Sequence, residues 1–208
     1  MQIKINLQIF FFIVLFILTH QIEMYTCIML FAFIHELGHL VSGIILKLKP
    51  KALSIMPFGI SITFETYGYK KMIEIKKIII AMGGPITNIL IGIISIFLNI
   101  NTNLKEIIIY TNIIIAFFNL IPLYPLDGGR ILKGIVILKK DKMKADKIVN
   151  VISNTTLVLI TAMGSVAILY LKNIAILCVL IYLWTIVIKQ NRIYNIEKKI
   201  KKIKNIEF

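Results

Sequence analysis

The sequence predicts an all-α polytopic membrane protein with about six transmembrane helices. Three observations predict this class. Hydrophobic residues make up 58% of the 208 residues, which leaves too little polar surface to coat a soluble globule. The apolar residues form runs of about 20, the length that an α-helix needs to cross a bilayer. The charged residues, in contrast, are concentrated in a few of the connections between these runs.

Six apolar runs are candidates for transmembrane helices. In order they are residues 5–22, 25–46, 77–99, 105–122, 150–171 and 173–189. A signal peptide is the alternative for the first run, but its basic start consists of Lys4 alone and no small-x-small cleavage site follows it. We therefore expect a retained helix. The six runs define one membrane domain over residues 1–189, followed by a basic cytoplasmic tail over residues 190–208.

The connection after the second run departs from helical patterning. Ile60, Ile62 and Phe64 alternate with polar residues after a proline and a glycine. A period of two residues is typical of a β-strand. The stretch 53–69 therefore fits a short β-hairpin at the membrane surface, and an irregular interfacial loop fits it equally well.

Basic and non-basic connections alternate in step with six crossings. Residues 47–77, residues 130–147 and the tail are rich in lysine, whereas each intervening turn carries one lysine at most. Because short basic loops stay in the cytoplasm, we expect both termini there. Such loops, and a tail that can lie on anionic lipid headgroups, account for the net charge of +14 without nucleic acid. A basic docking face for an acidic partner protein is the alternative.

The second run contains the motif HELGH at residues 35–39. His35 and His39 are four residues apart, so a helix presents both imidazoles on one face, where they can bind one metal ion. Glu36 points away from that line and can reach a water at the metal. Each ionisable group in a spanning segment costs about 2.5–3.5 kcal/mol on insertion scales, so three within two turns predict a bound metal. An ordinary polar cluster is the alternative.

A catalytic zinc site has three protein ligands and an open position for water. Most of the ten acidic residues fall in predicted loops, turns or the tail, and His20 lies at an external turn. Asp127 lies instead in NLIPLYPLDGGR, residues 119–130, where prolines and glycines forbid a continuous helix. Broken backbone at membrane depth is tolerated only inside the protein or beside a wet cavity. Asp127 is therefore the predicted third ligand, and a turn-forming Asp-Gly pair without a metal is the alternative.

The two motifs together resemble the site-2 protease family of intramembrane zinc metalloproteases, and in particular its sporulation branch. The resemblance covers about residues 30–133. It implies that His35, His39 and Asp127 bind one zinc ion per chain. It further implies that Glu36 is the general base of peptide hydrolysis.

Two more stretches resemble the family pattern. AMGGPITN, residues 81–88, is similar to the family's glycine-proline motif, whose glycines let backbone approach the site closely. Asn119 corresponds to the family's asparagine near the substrate. The resemblance therefore implies that Gly84, Asn88 and Asn119 lie near the substrate. Plain helix packing by small residues is the alternative.

The resemblance implies cleavage of a membrane-associated precursor near the cytosolic face of a bacterial cell membrane. The expected substrate is a pro-sigma factor during sporulation, and in a spore former the expected membrane is the one around the forespore. Other expected partners are membrane-protein inhibitors or regulators and membrane lipids. We expect no nucleic acid partner. We expect regulation of the kind that CBS or PDZ domains give other family members to be absent or to come from another protein.

From the residues alone, a metal-binding transporter or sensor without proteolytic activity stays open, because the same ligands would hold zinc there. Transport needs no general base, so Glu36 separates the two classes. The intact ligand set and base argue against a third class, an inactive interaction scaffold.

Overall fold

The structure, a computed structural model, describes residues 2–5, 22–56, 59–64, 70–171 and 174–204, together with 10, 13–14 and 17–18. The first predicted span, residues 5–22, lies mostly outside the described residues. The chain divides into two compact units, the first ending at Leu120 and the second beginning at Ile121.

In its described residues, the first unit contains a small sheet and three helices with defined bounds. In chain order these are β1 (Gln2–Ile5), α1 (Ile22–Ile45), β2 (Pro50–Met56), β3 (Gly59–Phe64), α2 (Lys70–Phe97) and α3 (Thr102–Leu120). The strands form a sheet in the order β1-β2-β3, with β2 antiparallel to β3 and parallel to β1. Of the stretch 53–69, predicted to be a hairpin or a loop, residues 53–56 and 59–64 lie in these two antiparallel strands, and residues 57–58 and 65–69 lie outside the described residues. Strand β1 was not predicted, because four residues are too few to show a strand period.

The second unit is helical in its described residues. It contains α4 (Asp127–Lys139), α5 (Lys142–Leu171) and α6 (Ile174–Lys204). Helix α5 packs against both α4 and α6. Helix α6 continues through residues 190–204, so this part of the predicted basic tail is helical.

Five helices of the described part are long and apolar enough to cross a membrane. These segments are Tyr25–Ile45, Ile73–Phe97, Thr102–Leu120, Lys142–Tyr170 and Ile176–Ile200. Large apolar side chains cover their outer surfaces; Phe97 is 83% exposed and Leu169 is 80% exposed. Such a surface suits lipid rather than water. The chain is a multi-pass integral membrane protein, and its helices confirm the predicted fold class.

Two helices begin earlier than the apolar runs that predicted them. Helix α2 begins at Lys70 rather than at residue 77, and α5 begins at Lys142 rather than at residue 150. Glu74 and Asp146, which the sequence analysis placed in loops, therefore lie within helices and are buried. An apolar run marks the part of a helix that faces lipid, and the helix itself continues into the polar region.

Lys133 and Asp146 connect α4 to α5 in the second unit. The Lys133 ammonium donates to the Asp146 carboxylate at 2.7 Å and lies 4.9 Å from the ring centre of Tyr124. Burial, the largest single cause, lowers the pKa of Lys133, but the hydrogen bond to Asp146 and the charges of Tyr124, Asp146 and Glu197 together outweigh it, so the pKa is raised. This pair holds the helix that begins with Asp127 against its neighbour.

Candidate metal centre

Helices α1 and α2 approach each other very closely at two glycines. A Cβ atom at Gly38 would lie 2.6 Å from the carbonyl oxygen of Gly83, and a Cβ at Gly83 would lie 2.7 Å from that of Gly38. Glycine is therefore required at both positions for this contact, as in other membrane helix pairs with small residues at the interface. The contact brings the HELGH face of α1 against the AMGGPITN stretch of α2.

His39 donates a hydrogen bond to α2. Its Nδ1 atom lies 2.6 Å from the carbonyl oxygen of Ile80. The backbone N–H of Gly84 also points at this nitrogen, at 3.2 Å. Because a carbonyl oxygen can only accept, the shorter contact makes Nδ1 the protonated nitrogen. Nε2 is then the nitrogen with the lone pair, which is the form that binds a metal.

His35 makes an equivalent bond to a side chain of α2. Its Nδ1 atom lies 2.5 Å from Oδ1 of Asn88, and both residues are buried. The Nε2 atoms of His35 and His39 point towards Gly84. A Cβ atom there would lie 2.5 Å from Nε2 of His39 and would also overlap Nε2 of His35. The missing side chain of Gly84 therefore keeps the space at both Nε2 atoms open.

Asp127 begins α4 after the proline-rich segment. Helix α3 ends at Leu120, so residues 121–126 form the predicted break. Gly128 and Gly129, which were predicted to break the helix as well, lie in its first turn instead. A Cβ at Gly129 would lie 2.5 Å from the carbonyl carbon of Leu123, so the preceding turn folds tightly onto this end of the helix. Asp127 is buried, and its carboxylate lies 3.6 Å from the guanidinium of Arg130.

Two imidazoles on α1 and one carboxylate at the start of α4 are candidate metal ligands. They belong to His35, His39 and Asp127, which are all buried. Two imidazoles and one carboxylate, with a further position for water, are the donor set of a catalytic zinc site. Glu36 follows His35 on α1 and is partly exposed. The residues present therefore fit a zinc ion.

Two asparagines outside this group differ in their contacts. The side-chain amide of Asn119 donates to the carbonyl oxygen of Ile115, in its own helix, at 3.0 Å. Asn112, which the sequence analysis did not single out, is fully buried and accepts a hydrogen bond from Asn88. The sequence signal that could have identified Asn112 is a polar residue in the middle of an apolar run, because buried polar groups in membrane helices find hydrogen-bond partners.

Comparisons with known proteins find similarity to one peptidase family. The sequence profile of peptidase family M50 matches residues 99–163. Stage IV sporulation protein FB of Bacillus subtilis is 32% identical over 136 residues, which are 62% of this chain and 46% of that protein. Zinc metalloprotease MJ0392 of Methanocaldococcus jannaschii is 29% identical over 182 residues, which are 82% of this chain and 50% of that protein. The chain thus spans about half the length of the curated relatives it matches.

A solved structure shares the fold. The site-2 protease from Methanocaldococcus jannaschii superposes with a TM-score of 0.69 over 90% of this chain and 89% of that one, at 23% identity. The fold defines the class, a polytopic membrane protein. Within this class, the chain is similar in sequence to peptidase family M50 and in fold to a site-2 protease. The family resemblance stated from the sequence is confirmed.

Gly84→Ala is expected to weaken zinc binding, because the added methyl group would occupy the space at both Nε2 atoms. Gly92→Ala is the matched control, since a Cβ atom at Gly92 of the same helix would meet nothing within 4 Å. Zinc affinity of the two purified variants, measured by competition with a chelator, tests this prediction. Equal zinc affinity in the two variants would show that the close approach of Gly84 has no role at the site.

Proposed function

We propose that the chain is a zinc metalloendopeptidase of the site-2 protease type that hydrolyses a peptide bond of a membrane-associated precursor. The observation that carries the proposal is the pair of buried imidazoles of His35 and His39 on α1, with Glu36 beside His35 and a further buried carboxylate, Asp127, at the start of α4. The similarity to peptidase family M50 and to zinc metalloprotease MJ0392 supports the same activity.

Each residue of the group has a role in this proposal. His35, His39 and Asp127 would hold one zinc ion per chain. When bound, zinc acts as a Lewis acid that lowers the pKa of a water molecule and polarises a carbonyl group. The Glu36 carboxylate would accept the proton of the attacking water and return it to the leaving amine. A transporter or sensor would use the ligands but not this base.

Cleavage would take place near the cytosolic face. The lysine-rich connections favour a cytoplasmic location for the C-terminal end of α1 and for both termini of the chain. His39 lies six residues before the end of α1 at Ile45, which is about 9 Å along the helix axis at a rise of 1.5 Å per residue. A product released on that side would be a cytosolic protein.

A pro-sigma factor is the substrate we propose, in regulated proteolysis during sporulation. The similarity to stage IV sporulation protein FB supports this choice. In a spore former, the membrane around the forespore would then be the location, and membrane-protein inhibitors or regulators would act on the enzyme there. Near the substrate we place Gly84, whose backbone borders the two Nε2 atoms, and Asn119. Asn88 was predicted to lie there too.

Co-expression with a panel of membrane-associated precursors, including a pro-sigma factor, tests the proposed function. We expect cleavage of the pro-sigma factor, its loss when a zinc chelator is added to the purified proteins in detergent, and its return with added zinc. Cleavage that resists the chelator would contradict a zinc enzyme. Zinc binding without cleavage of any precursor would favour the transporter or sensor.

A further inference from the structure

A chain of three hydrogen bonds, two of them buried, runs from a backbone carbonyl of α3 to His35. The side-chain amide of Asn112 donates to the carbonyl oxygen of Ile108 at 2.8 Å. The amide of Asn88 donates to Oδ1 of Asn112 at 2.7 Å, and Oδ1 of Asn88 lies 2.5 Å from Nδ1 of His35. Asn88 and Asn112 are both 0% exposed.

The carbonyl of Ile108 sets the direction of every bond in this chain. Because a carbonyl oxygen only accepts, it must face the NH₂ group of Asn112, which turns Oδ1 of Asn112 towards Asn88. Asn88 then has to present its own NH₂ group to Asn112 and its Oδ1 to His35. An acceptor at this position requires a proton on Nδ1 of His35, so Nε2 carries the lone pair.

We propose that Asn112 is a positioning residue that selects the metal-binding tautomer of His35 by holding the amide of Asn88 in one orientation. The proposal rests on the proposed zinc site. His39 needs no such residue, because its Nδ1 donates directly to the carbonyl oxygen of Ile80. Each histidine is thus oriented by a backbone carbonyl, one directly and the other through two asparagines.

Loss of Asn112 would remove this orientation. Without the Oδ1 acceptor, the NH₂ group of Asn88 is left unsatisfied in a buried site, which is unfavourable. Rotation of the amide by 180° would bring that NH₂ group to Nδ1 of His35. A donor there favours the tautomer with the proton on Nε2, which cannot bind zinc until the proton moves.

The test is a double-mutant cycle on zinc affinity in the full-length protein in detergent. Asn112→Leu removes the acceptor at similar volume, and groups that orient a ligand contribute about 10- to 100-fold to metal affinity, so we expect a loss of about tenfold. In an Asn88→Ala background, Asn112→Leu should cause no further loss, because Asn112 acts only through Asn88.

Ser95→Ala is the matched control. Ser95 is a buried polar residue of α2, 2% exposed, whose hydroxyl donates to the carbonyl oxygen of Ile91 in its own helix. Its loss should lower thermal stability without changing zinc affinity. Where leucine at position 112 prevents folding, Asn112→Ala removes the same oxygen without a branched side chain.

Unchanged zinc affinity in folded Asn112→Leu would overturn the inference and leave the proposed function intact. A loss of equal size in the Asn88→Ala background would overturn it too, because Asn112 would then act by general packing. A wild-type protein that binds no zinc would overturn the proposed function and this inference with it.

Discussion

Glu36→Gln is expected to remove peptide cleavage while the zinc content stays at the wild-type level. Glutamine has the size of glutamate but cannot accept a proton from water, and general acid–base catalysis contributes about 10²- to 10⁴-fold to rate. The two histidines are unchanged in this variant, so the ligands proposed for zinc remain. Cleavage of a precursor and metal content, measured on the same preparations, check the prediction.

Glu23→Gln is the control for this change. Glu23 is exposed in the first turn of the same helix, so its substitution alters the charge of α1 without touching the site. We expect full cleavage by this variant. Equal cleavage by Glu36→Gln and Glu23→Gln would contradict the assignment of Glu36 as the general base, whatever the zinc content of the two variants.

Asp127→Asn is expected to lower zinc affinity by about 100-fold or more. Residues that only orient a metal ligand already contribute about 10- to 100-fold, and a ligand itself contributes at least as much. Asparagine preserves the size of the side chain and is tolerated at the start of a helix, so α4 should still form. Zinc affinity and thermal stability of the purified variant, measured together, separate a ligand from a residue that only starts the helix.

Asp141→Asn provides the comparison for Asp127. Asp141 is exposed just before α5. Its substitution should leave zinc affinity and thermal stability at their wild-type values. A drop in stability without a change in zinc affinity for Asp127→Asn would support the alternative raised from the sequence, an aspartate that serves the turn without binding a metal.

The sequence predicted the elements of this protein that follow from local patterns. Apolar runs of bilayer length located the spanning helices of the described part, although α2 and α5 begin seven and eight residues earlier than the runs. The HELGH spacing predicted two imidazoles on one face, and the prolines before Asp127 predicted the break between α3 and α4. Each of these features depends on residues that are near neighbours in the chain.

The contacts between helices could not be predicted in the same way. The bond between Asn88 and His35 depends on how closely α1 approaches α2, which Gly38 and Gly83 determine together. The bond between Asn88 and Asn112 requires, in addition, the rotation of α3 about its own axis. The spacing of 24 residues between the two asparagines predicts neither the approach of the helices nor the rotation of α3. The hydrogen-bond chain from Ile108 to His35 can therefore be found only from the three-dimensional structure.

The most direct test of the account is X-ray absorption spectroscopy at the zinc edge on the purified, zinc-loaded protein. For a zinc ion bound by His35, His39 and Asp127, we expect about four nitrogen or oxygen neighbours at about 2.0–2.1 Å, outer-shell scattering from two imidazole rings, and no sulfur. The same spectrum from His39→Ala should show either one imidazole or no bound zinc. Sulfur neighbours at about 2.3 Å, or a wild-type spectrum unchanged by His39→Ala, would contradict a metal centre built from His35, His39 and Asp127.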